Sequence, residues 1–184
     1  MKKIYIVRHC SASGQPPESP LTAEGFKQAE GLAEFFRGRK IDRIISSPFK
    51  RARQTAEPLA GKLHLPIEED PRLAERILSP EPLPNWLEIL QESFESPDLK
   101  IAGGESSREA LERGIGVIEE ISKTGVENTV VVTHGNLMAL LLKHFDSTFG
   151  FKEWSLLTNP DVYLLTMSNE APVLERIWTE GGAT

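Results

Sequence analysis

The stretch Lys3-Ile4-Tyr5-Ile6-Val7-Arg8-His9, near the start of the chain, decides the fold. Its first five residues have the β-branched and aromatic content of a strand, and an arginine and a histidine follow at the carboxyl end. A second apolar run, Thr129-Val130-Val131-Val132-Thr133, leads in the same way into His134-Gly135-Asn136. In open α/β sheets, ligands bind outside the carboxyl ends of the strands. The two strand ends therefore predict one shared site, and their histidines and arginines indicate that it handles phosphate.

The rest of the chain alternates predicted strands with predicted helices. Thr22 precedes an apolar repeat of helical spacing, and the capping-box pattern Ser106-Ser107-Arg108-Glu109 precedes another. Pro48 favours a helix that opens near it, because proline is tolerated at the first helical position. This order predicts an α/β fold, a three-layer α/β/α sandwich with a mostly parallel central sheet. Further strands are predicted at 41–46, 65–68, 162–166 and 173–178, and further helices at 86–94 and 137–145.

A proline-rich stretch interrupts this alternation in the middle of the chain. Residues 77–84 read Ile-Leu-Ser-Pro-Glu-Pro-Leu-Pro, which resists regular structure. We interpret residues 1–184 as one domain, with a cap-like excursion around 77–100 that passes over the site. Trp86 and Phe94, on the short helix predicted there, are interpreted as core residues of this cap.

The composition is typical of a globular protein in a reducing compartment. The chain has 184 residues, a formal net charge of −6 and one cysteine, Cys10. The negative charge argues against nucleic acid as a partner, and a single cysteine excludes an internal disulfide. Neither a signal peptide nor a run of membrane-spanning length is recognised. We therefore expect a cytoplasmic protein that binds neither nucleic acid nor membranes and attracts its anionic ligand by local positive charge.

Two arginines and two histidines together fit phosphoryl transfer. The guanidinium groups of Arg8 and Arg51 can grip phosphoryl oxygens two at a time. His9 is the candidate nucleophile, which would attack phosphorus through a neutral imidazole nitrogen and form a phosphohistidine. Its other ring nitrogen must then donate to a backbone carbonyl, which fixes the tautomer. His134 would stabilise charge on the transferring group, and no metal is implied because the arginines supply the positive charge.

Two further residues complete the predicted site. Gly135 allows the backbone to approach closely where a helix offers free N–H groups. The leaving alcohol needs a proton donor. Glu75, which follows the third predicted strand and precedes the proline-rich stretch, is the candidate for that role.

Six sequence blocks, in order, resemble the histidine phosphatase superfamily, also called phosphoglycerate mutase-like. Arg8-His9-Cys10 corresponds to the family's opening Arg-His-Gly, and residues 21–29 match its Leu-Thr-x-x-Gly-x-x-Gln-Ala in full. Residues 46–56 match Ser-Ser-Pro-x-x-Arg-Ala-x-Gln-Thr-Ala. The later blocks of the family appear as Leu73-Ala74-Glu75, Gly104-Glu105-Ser106 and His134-Gly135.

The resemblance implies a phosphatase with a phosphoglycerate mutase-like fold, acting on a small phosphorylated metabolite without a cofactor. It also implies a phosphate contact six positions after the nucleophile, where this chain has Gln15 in place of the family's usual asparagine. Glu105 is expected as a neighbour of the pocket. Together with the chemistry above, the predicted catalytic residues are His9, Glu75 and His134, and the predicted substrate-binding residues are Arg8, Gln15, Arg51 and Gly135.

Two departures from the family pattern bear on the chemistry. Cys10 replaces a glycine, so we expect an ordinary backbone there and, beside arginines, a thiol with a lowered pKa that is prone to oxidation. The segment between Glu75 and His134 is shorter than in mutase-like relatives, which favours the phosphatase branch. Two alternatives stay open, a phosphoglycerate mutase-type phosphoryl transfer and a non-catalytic module that binds phosphorylated ligands.

Overall fold

A sheet of strands forms the centre of the computed structural model, which describes residues 1–179. The strands are β1 (Lys2–Arg8), β2 (Arg43–Ser46), β3 (Ile67–Glu69), β4 (Asn128–Thr133), β5 (Asp161–Met167) and β6 (Val173–Arg176). The helices are α1 (Ala23–Phe35), α2 (Lys50–Leu63), α3 (Trp86–Glu95), α4 (Ser107–Lys123), α5 (Gly135–Phe145) and α6 (Phe151–Ser155), with a short 3-10 turn at Pro71–Leu73. Strands and helices therefore alternate through most of the chain.

The strands form one six-stranded sheet in the order β3-β2-β4-β1-β5-β6. β1 pairs in parallel with β4, β4 with β2 and β2 with β3, whereas β5 runs antiparallel to both of its neighbours, β1 and β6. The register aligns Arg8 of β1 with Thr133 of β4. The central strands therefore end at the same edge of the sheet, and the residues directly after them, His9, Ser47 and His134, start from neighbouring points.

Side chains of the central strands alternate between two buried faces. Tyr5 and Val7 pack with residues of α1 and α2, whereas Ile4 and Ile6 pack with residues of α4 and α5. β4 is buried on both faces, as expected for a central strand that helices cover on both sides. Each fully buried aliphatic side chain contributes about 1.5–3 kcal/mol relative to an exposed one. The predicted three-layer α/β/α sandwich with a mostly parallel sheet is confirmed.

The helices begin close to where the sequence predicts them. The Thr22 hydroxyl accepts a backbone N–H in the first turn of α1, and the predicted capping box opens α4. The predicted helix near Pro48 is confirmed, since α2 begins at Lys50 with Phe49 as its N-cap, although the proline itself lies just before the helix. The Ser47 hydroxyl accepts the Phe49 N–H at 3.2 Å and holds this stretch in a turn. Within residues 1–179, no helix is long and apolar enough to cross a membrane.

The cap segment, residues 77–100, leads from the 3-10 turn towards α4 and contains α3. Phe94 is buried in the core cluster on the α4 and α5 side, as predicted, but Trp86 is 49% exposed and the core role expected for it is wrong. Both lie on one stripe of α3 with Leu90, and burial falls off towards the first turn of the helix. The interpretation of the chain as one domain with this cap stays a prediction.

Candidate active site

Four side chains come together at the carboxyl ends of the central strands. We call this group, Arg8, His9, Arg51 and His134, the strand-end pocket. His9 continues β1, with its N–H donating to the Thr133 carbonyl of β4 at 3.0 Å. The parallel register of the strands therefore places both histidines at one edge, and their ring centroids lie 5.1 Å apart.

Both ring nitrogens of His9 have a defined partner. Nδ1 lies 2.6 Å from the Cys10 carbonyl oxygen, which can only accept, so Nδ1 carries the proton. Nε2 accepts a hydrogen bond from Nε of Arg51 at 3.3 Å. Burial, together with the positive charges of Arg51 and Arg8, lowers the pKa of His9 to about 3, although the bond to Cys10 acts in the opposite direction. The ring is therefore neutral at neutral pH, with its lone pair on Nε2, where it accepts the Arg51 N–H.

Arg51 brings a buried positive charge to the His9 ring. It lies in the first turn of α2 and is 1% exposed. One terminal nitrogen donates to the carbonyls of Gln15 and Pro16, each at 3.0 Å, while Nε faces His9. Burial lowers the pKa of Arg51 and the Glu75 carboxylate opposes that effect. Arg51 stays charged at neutral pH, because the ordinary pKa of arginine lies far above neutral.

His134 is fully buried and is hydrogen-bonded to Ser47. Its Nε2 lies 2.8 Å from the Ser47 hydroxyl, which already accepts the Phe49 N–H. That hydroxyl can donate its own proton to Nε2, which leaves the ring proton on Nδ1. Nδ1 is buried and has no hydrogen-bond partner among residues 1–179. Burial lowers the pKa of His134 well below its usual value, and the nearby positive charges of Arg51, Arg113 and Arg8 act in the same direction.

Arg8 lies against the glycine that follows His134. A Cβ atom at position 135 would come within 2.9–3.0 Å of Nε, Cζ and Nη2 of Arg8, so Gly135 permits this approach. Arg8 donates to the Leu157 carbonyl at 2.9 Å. Its Nε is buried and has no hydrogen-bond partner in the described part of the chain. Buried donors of this kind are expected to meet an acceptor in the liganded site.

Glu75 reaches the same edge of the sheet at the N-terminus of α5. Its Oε1 accepts from the N–H groups of Leu137 at 2.9 Å and Arg76 at 2.8 Å, and its Oε2 accepts from Asn136 at 3.0 Å. A negative charge at a helix N-terminus is stabilising, typically by about 0.3–1 kcal/mol. The carboxylate thus holds the helix that begins directly after His134, and its charge is felt by both pocket arginines.

The loop between β1 and α1 is held by side chains of the sequence blocks. The loop places Gln15 with an exposed side chain, and the contact it makes in the pocket is its carbonyl on Arg51. Gly25 is needed for close packing, because a Cβ there would lie 2.1 Å from the Ser11 carbonyl oxygen. Three side chains accept loop N–H groups at 2.9 Å, Thr55 from Cys10, Gln28 from Ser11 and Gln54 from Leu21.

The expectation of a reactive Cys10 thiol is wrong. The side chain is fully buried, and burial raises its pKa to about 12 while the Thr55 hydroxyl acts weakly in the other direction. The expectation considered only the effect of nearby arginines on the thiol pKa and left out the effect of burial. The ordinary backbone expected at Cys10 is confirmed, because His64 is the only non-glycine residue with positive φ in the described chain.

Sequence reasoning missed three residues that contact the histidines. Ser47 binds His134, Asn159 donates to the His9 carbonyl at 2.8 Å, and the Phe49 ring lies 5.0 Å from the His134 ring. Ser47 directly follows β2, so the strand-end argument applied to His9 could have found it. Asn159 lies in the loop before β5, and nothing in the sequence around it indicates a contact with His9. That contact depends on the three-dimensional path of the loop, which local patterns do not predict.

The pocket has the chemistry of an enzyme site for an oxyanion. Two guanidinium groups provide fixed positive charge, one neutral imidazole presents a lone pair, and a second imidazole presents a buried N–H. Such a site, at the carboxyl ends of strands in an α/β sandwich, defines a class of phosphoryl-handling α/β enzymes.

Comparisons with known proteins identify the family. A sequence model of the histidine phosphatase superfamily (branch 1) matches residues 4–179. Phosphoserine phosphatase 1 of Hydrogenobacter thermophilus is 30% identical over 147 residues, which cover 72% of this chain and 70% of that protein. A protein named "Probable phosphoglycerate mutase GpmB" of Proteus mirabilis is 40% identical over 83 residues, which cover 41% of this chain and 38% of that protein.

The fold is shared with solved structures. The complex of mycobacterial glucosyl-3-phosphoglycerate phosphatase with inorganic phosphate has a TM-score of 0.79 at 22% identity, covering 97% of this chain and 96% of that chain. The chain belongs to the histidine phosphatase superfamily. The predicted family and the predicted enzyme class, a phosphatase of that superfamily, are confirmed.

Proposed function

We propose that this protein hydrolyses small phosphomonoesters in two steps through a covalent phosphohistidine on His9. The observation that carries the proposal is the tautomer of His9. Its proton is held on Nδ1 by the Cys10 carbonyl, and the unprotonated Nε2 faces the guanidinium of Arg51. A neutral imidazole nitrogen beside a fixed cation suits attack on an anionic phosphoryl group.

In the first step, Nε2 of His9 forms a bond to phosphorus while the ester P–O bond breaks. Negative charge on the phosphoryl oxygens is stabilised by Arg8 and Arg51, and by the Nδ1–H of His134. Arg8 Nε and His134 Nδ1 are buried donors that lack a partner within residues 1–179, which supports their assignment to phosphoryl oxygens. Preorganised donors in a buried site are the largest contribution to catalysis in reactions of this kind.

The proton for the leaving alcohol comes from Glu75, and the hydrogen bonds single out one of its oxygens. Oε1 already accepts two backbone N–H groups, which occupies both of its lone pairs. Oε2 accepts only the Asn136 N–H and keeps one lone pair for a proton. We assign Oε2 as the atom that gives a proton to the leaving oxygen. In the second step it takes a proton from the water that attacks phosphorus, the P–N bond breaks, and inorganic phosphate leaves.

Small phosphorylated metabolites are the proposed substrates. Relatives are named for phosphoserine and glucosyl-3-phosphoglycerate, which share a phosphomonoester on a small polar body. We place Gln15 at the mouth of the pocket, where its carbonyl orients Arg51. Location in the cytoplasm and a lack of binding to nucleic acid remain predictions from composition.

The proposal is tested by product analysis with purified enzyme. We expect phosphoserine, phosphoglycerate and para-nitrophenyl phosphate to release inorganic phosphate, with radiolabelled phosphoryl groups retained on the wild-type protein after an alkaline quench. Isomerisation of phosphoglycerate without phosphate release would instead favour a mutase. Binding of phosphorylated ligands without turnover of any ester would favour the non-catalytic module.

A further inference from the structure

The loop that carries Glu75 is fastened by two side chains from elsewhere in the chain. Residues 74–77 come after the 3-10 turn and belong to no helix or strand. The position of the Glu75 carboxylate therefore depends on the groups that hold this backbone, in addition to the α5 N–H groups that the carboxylate itself binds. Arg113, in the middle of α4, and Glu105, just before α4, bind the backbone of this loop. The Arg76 side chain, within the loop, is bonded in turn to the Glu105 carbonyl and to the hydroxyls of Ser93 and Ser107.

Arg113 uses its whole guanidinium group for this purpose. Its Nη1 donates to the carbonyls of Arg72 at 2.7 Å and Ala74 at 2.8 Å. Its Nε and Nη2 donate to the two carboxylate oxygens of Glu105 at 2.7 and 3.0 Å. The planar fork of arginine allows all of these bonds at once, which a lysine ammonium could not reproduce.

Glu105 completes the attachment on the other side of Glu75. Its Oε2 accepts the Ile77 N–H at 3.0 Å, and its own N–H donates to the Ile77 carbonyl at 2.7 Å. The Arg113 and Glu105 side chains are only 21% and 24% exposed, so the ion pair is shielded from water. The backbone is thus held at residue 74 by one partner and at residue 77 by the other, with Glu75 between them.

We propose that Arg113 and Glu105 are positioning residues that aim Glu75 Oε2 at the leaving oxygen. The inference rests on the proposed function, in which Glu75 supplies that proton. Between them, the two side chains bind backbone groups on both sides of the acid, so their loss would release the loop at both of its ends. Glu105 is thus assigned to the loop of Glu75 and not to the phosphoryl group.

The test measures leaving-group dependence in Arg113→Gln. A positioning role predicts that kcat/KM for an alkyl phosphate, which needs the proton, falls by about tenfold or more. The same variant should lose less than about threefold with para-nitrophenyl phosphate, whose leaving group needs little protonation. In the Glu75→Gln background, Arg113→Gln should cost less than about twofold further on the alkyl ester, because both changes act through one group.

Arg72→Gln is the matched control. It removes a more exposed arginine whose side chain pairs with Asp70 and Glu120, and it leaves the backbone carbonyl that Arg113 binds. We expect this control to keep wild-type kinetics on both esters. If Arg113→Gln fails to fold in a thermal melt, Glu105→Gln provides the same comparison with a milder change, and we expect the same direction of effect.

Three results would overturn the inference. They are equal losses on the two esters, a loss on the alkyl ester that is as large in the Glu75→Gln background as in the wild type, and unchanged kinetics in the folded variant. Failure of the proposed function has a different signature, because the wild type would then release no phosphate from any ester and carry no label on His9.

Discussion

The strand-end pocket and the cap segment are built in opposite ways. In the pocket, polar side chains are tied to the backbone, the buried Arg51 to two carbonyls and the partly buried His9 to one. In and around the cap segment, Ile77, Trp86 and Leu87 present apolar side chains that are 51%, 49% and 46% exposed. The pocket therefore fixes charge and geometry, whereas the cap segment leaves apolar side chains exposed.

This difference separates chemistry from specificity. Phosphoryl transfer needs hydrogen-bond donors that do not reorganise during the reaction. The backbone hydrogen bonds between the central strands hold the pocket residues in place. Contact with the rest of a substrate needs exposed surface, and we propose that the cap segment provides it. Changes in the pocket should therefore affect all substrates strongly, and changes in the cap should affect some substrates weakly.

The largest effect is expected from His9→Ala. Loss of the nucleophile should lower kcat by at least about 10⁴-fold on every phosphomonoester, because no other group in the pocket can form the intermediate. Steady-state phosphate release with para-nitrophenyl phosphate measures this, and a thermal melt checks the fold. His144→Ala, at an exposed position of α5, is the control and should keep full activity. Substantial hydrolysis by His9→Ala would remove His9 from the mechanism.

A smaller loss is expected from Arg51→Lys. Lysine keeps the charge but cannot face His9 and hydrogen-bond two carbonyls at the same time, so we expect kcat/KM to fall by about 10²-fold. The loss should be similar for esters of different size, as measured across a substrate panel. Arg53→Lys, two residues along α2 and paired with Glu69 at the surface, should be silent. A loss confined to one ester would place Arg51 in specificity and not in the shared chemistry.

Acid should destabilise the wild type more than a variant without the His9 imidazole. The unfolded chain binds a proton near the ordinary pKa of about 6.5. The folded chain binds it only near pH 3. Stability should therefore fall as pH falls through this window, because the unfolded state holds more protons there.

Denaturant unfolding in phosphate-free buffer at pH 7 and pH 4.5 measures that difference. We expect His9→Asn to lose less stability than the wild type over this interval, by about 1 kcal/mol or more. An identical loss in the two proteins would show that His9 titrates normally in the folded state.

The smallest effect is expected at the cap. Trp86→Ala should change the ratio of kcat/KM between an aryl and a sugar phosphate by about threefold, the size expected for a partly exposed apolar contact. The amount of phosphoryl label on His9 should not change. A uniform loss on all esters would mean that the cap takes part in the chemistry and would break the proposed division.

The sequence predicted the fold and the pocket because both depend on local patterns. Apolar runs that end in Arg8-His9 and in His134-Gly135 mark two strands and the polar residues at their carboxyl ends, and a parallel register then brings those ends together. The capping residues Thr22 and Ser106 mark helix starts for the same local reason.

Other features depend on contacts between distant segments and had no local signal. Burial of the Cys10 thiol is set by packing, which reversed the expected direction of its pKa. The Glu75 carboxylate reaches across the sequence to the first N–H groups of α5. Trp86 lies on the same face of α3 as the buried residues Leu90 and Phe94. Its side chain is nevertheless exposed, because the first turn of the helix is not covered by the core.

The central claim is that one nitrogen atom, Nε2 of His9, takes the phosphoryl group. Phosphorus NMR of enzyme quenched in alkali during turnover distinguishes the two phosphohistidine isomers, and peptide mapping locates the label. We expect a single phosphohistidine at position 9, attached through Nε2 and missing from His9→Ala. A phosphoryl group on Nδ1, on His134 or on any other residue would contradict it.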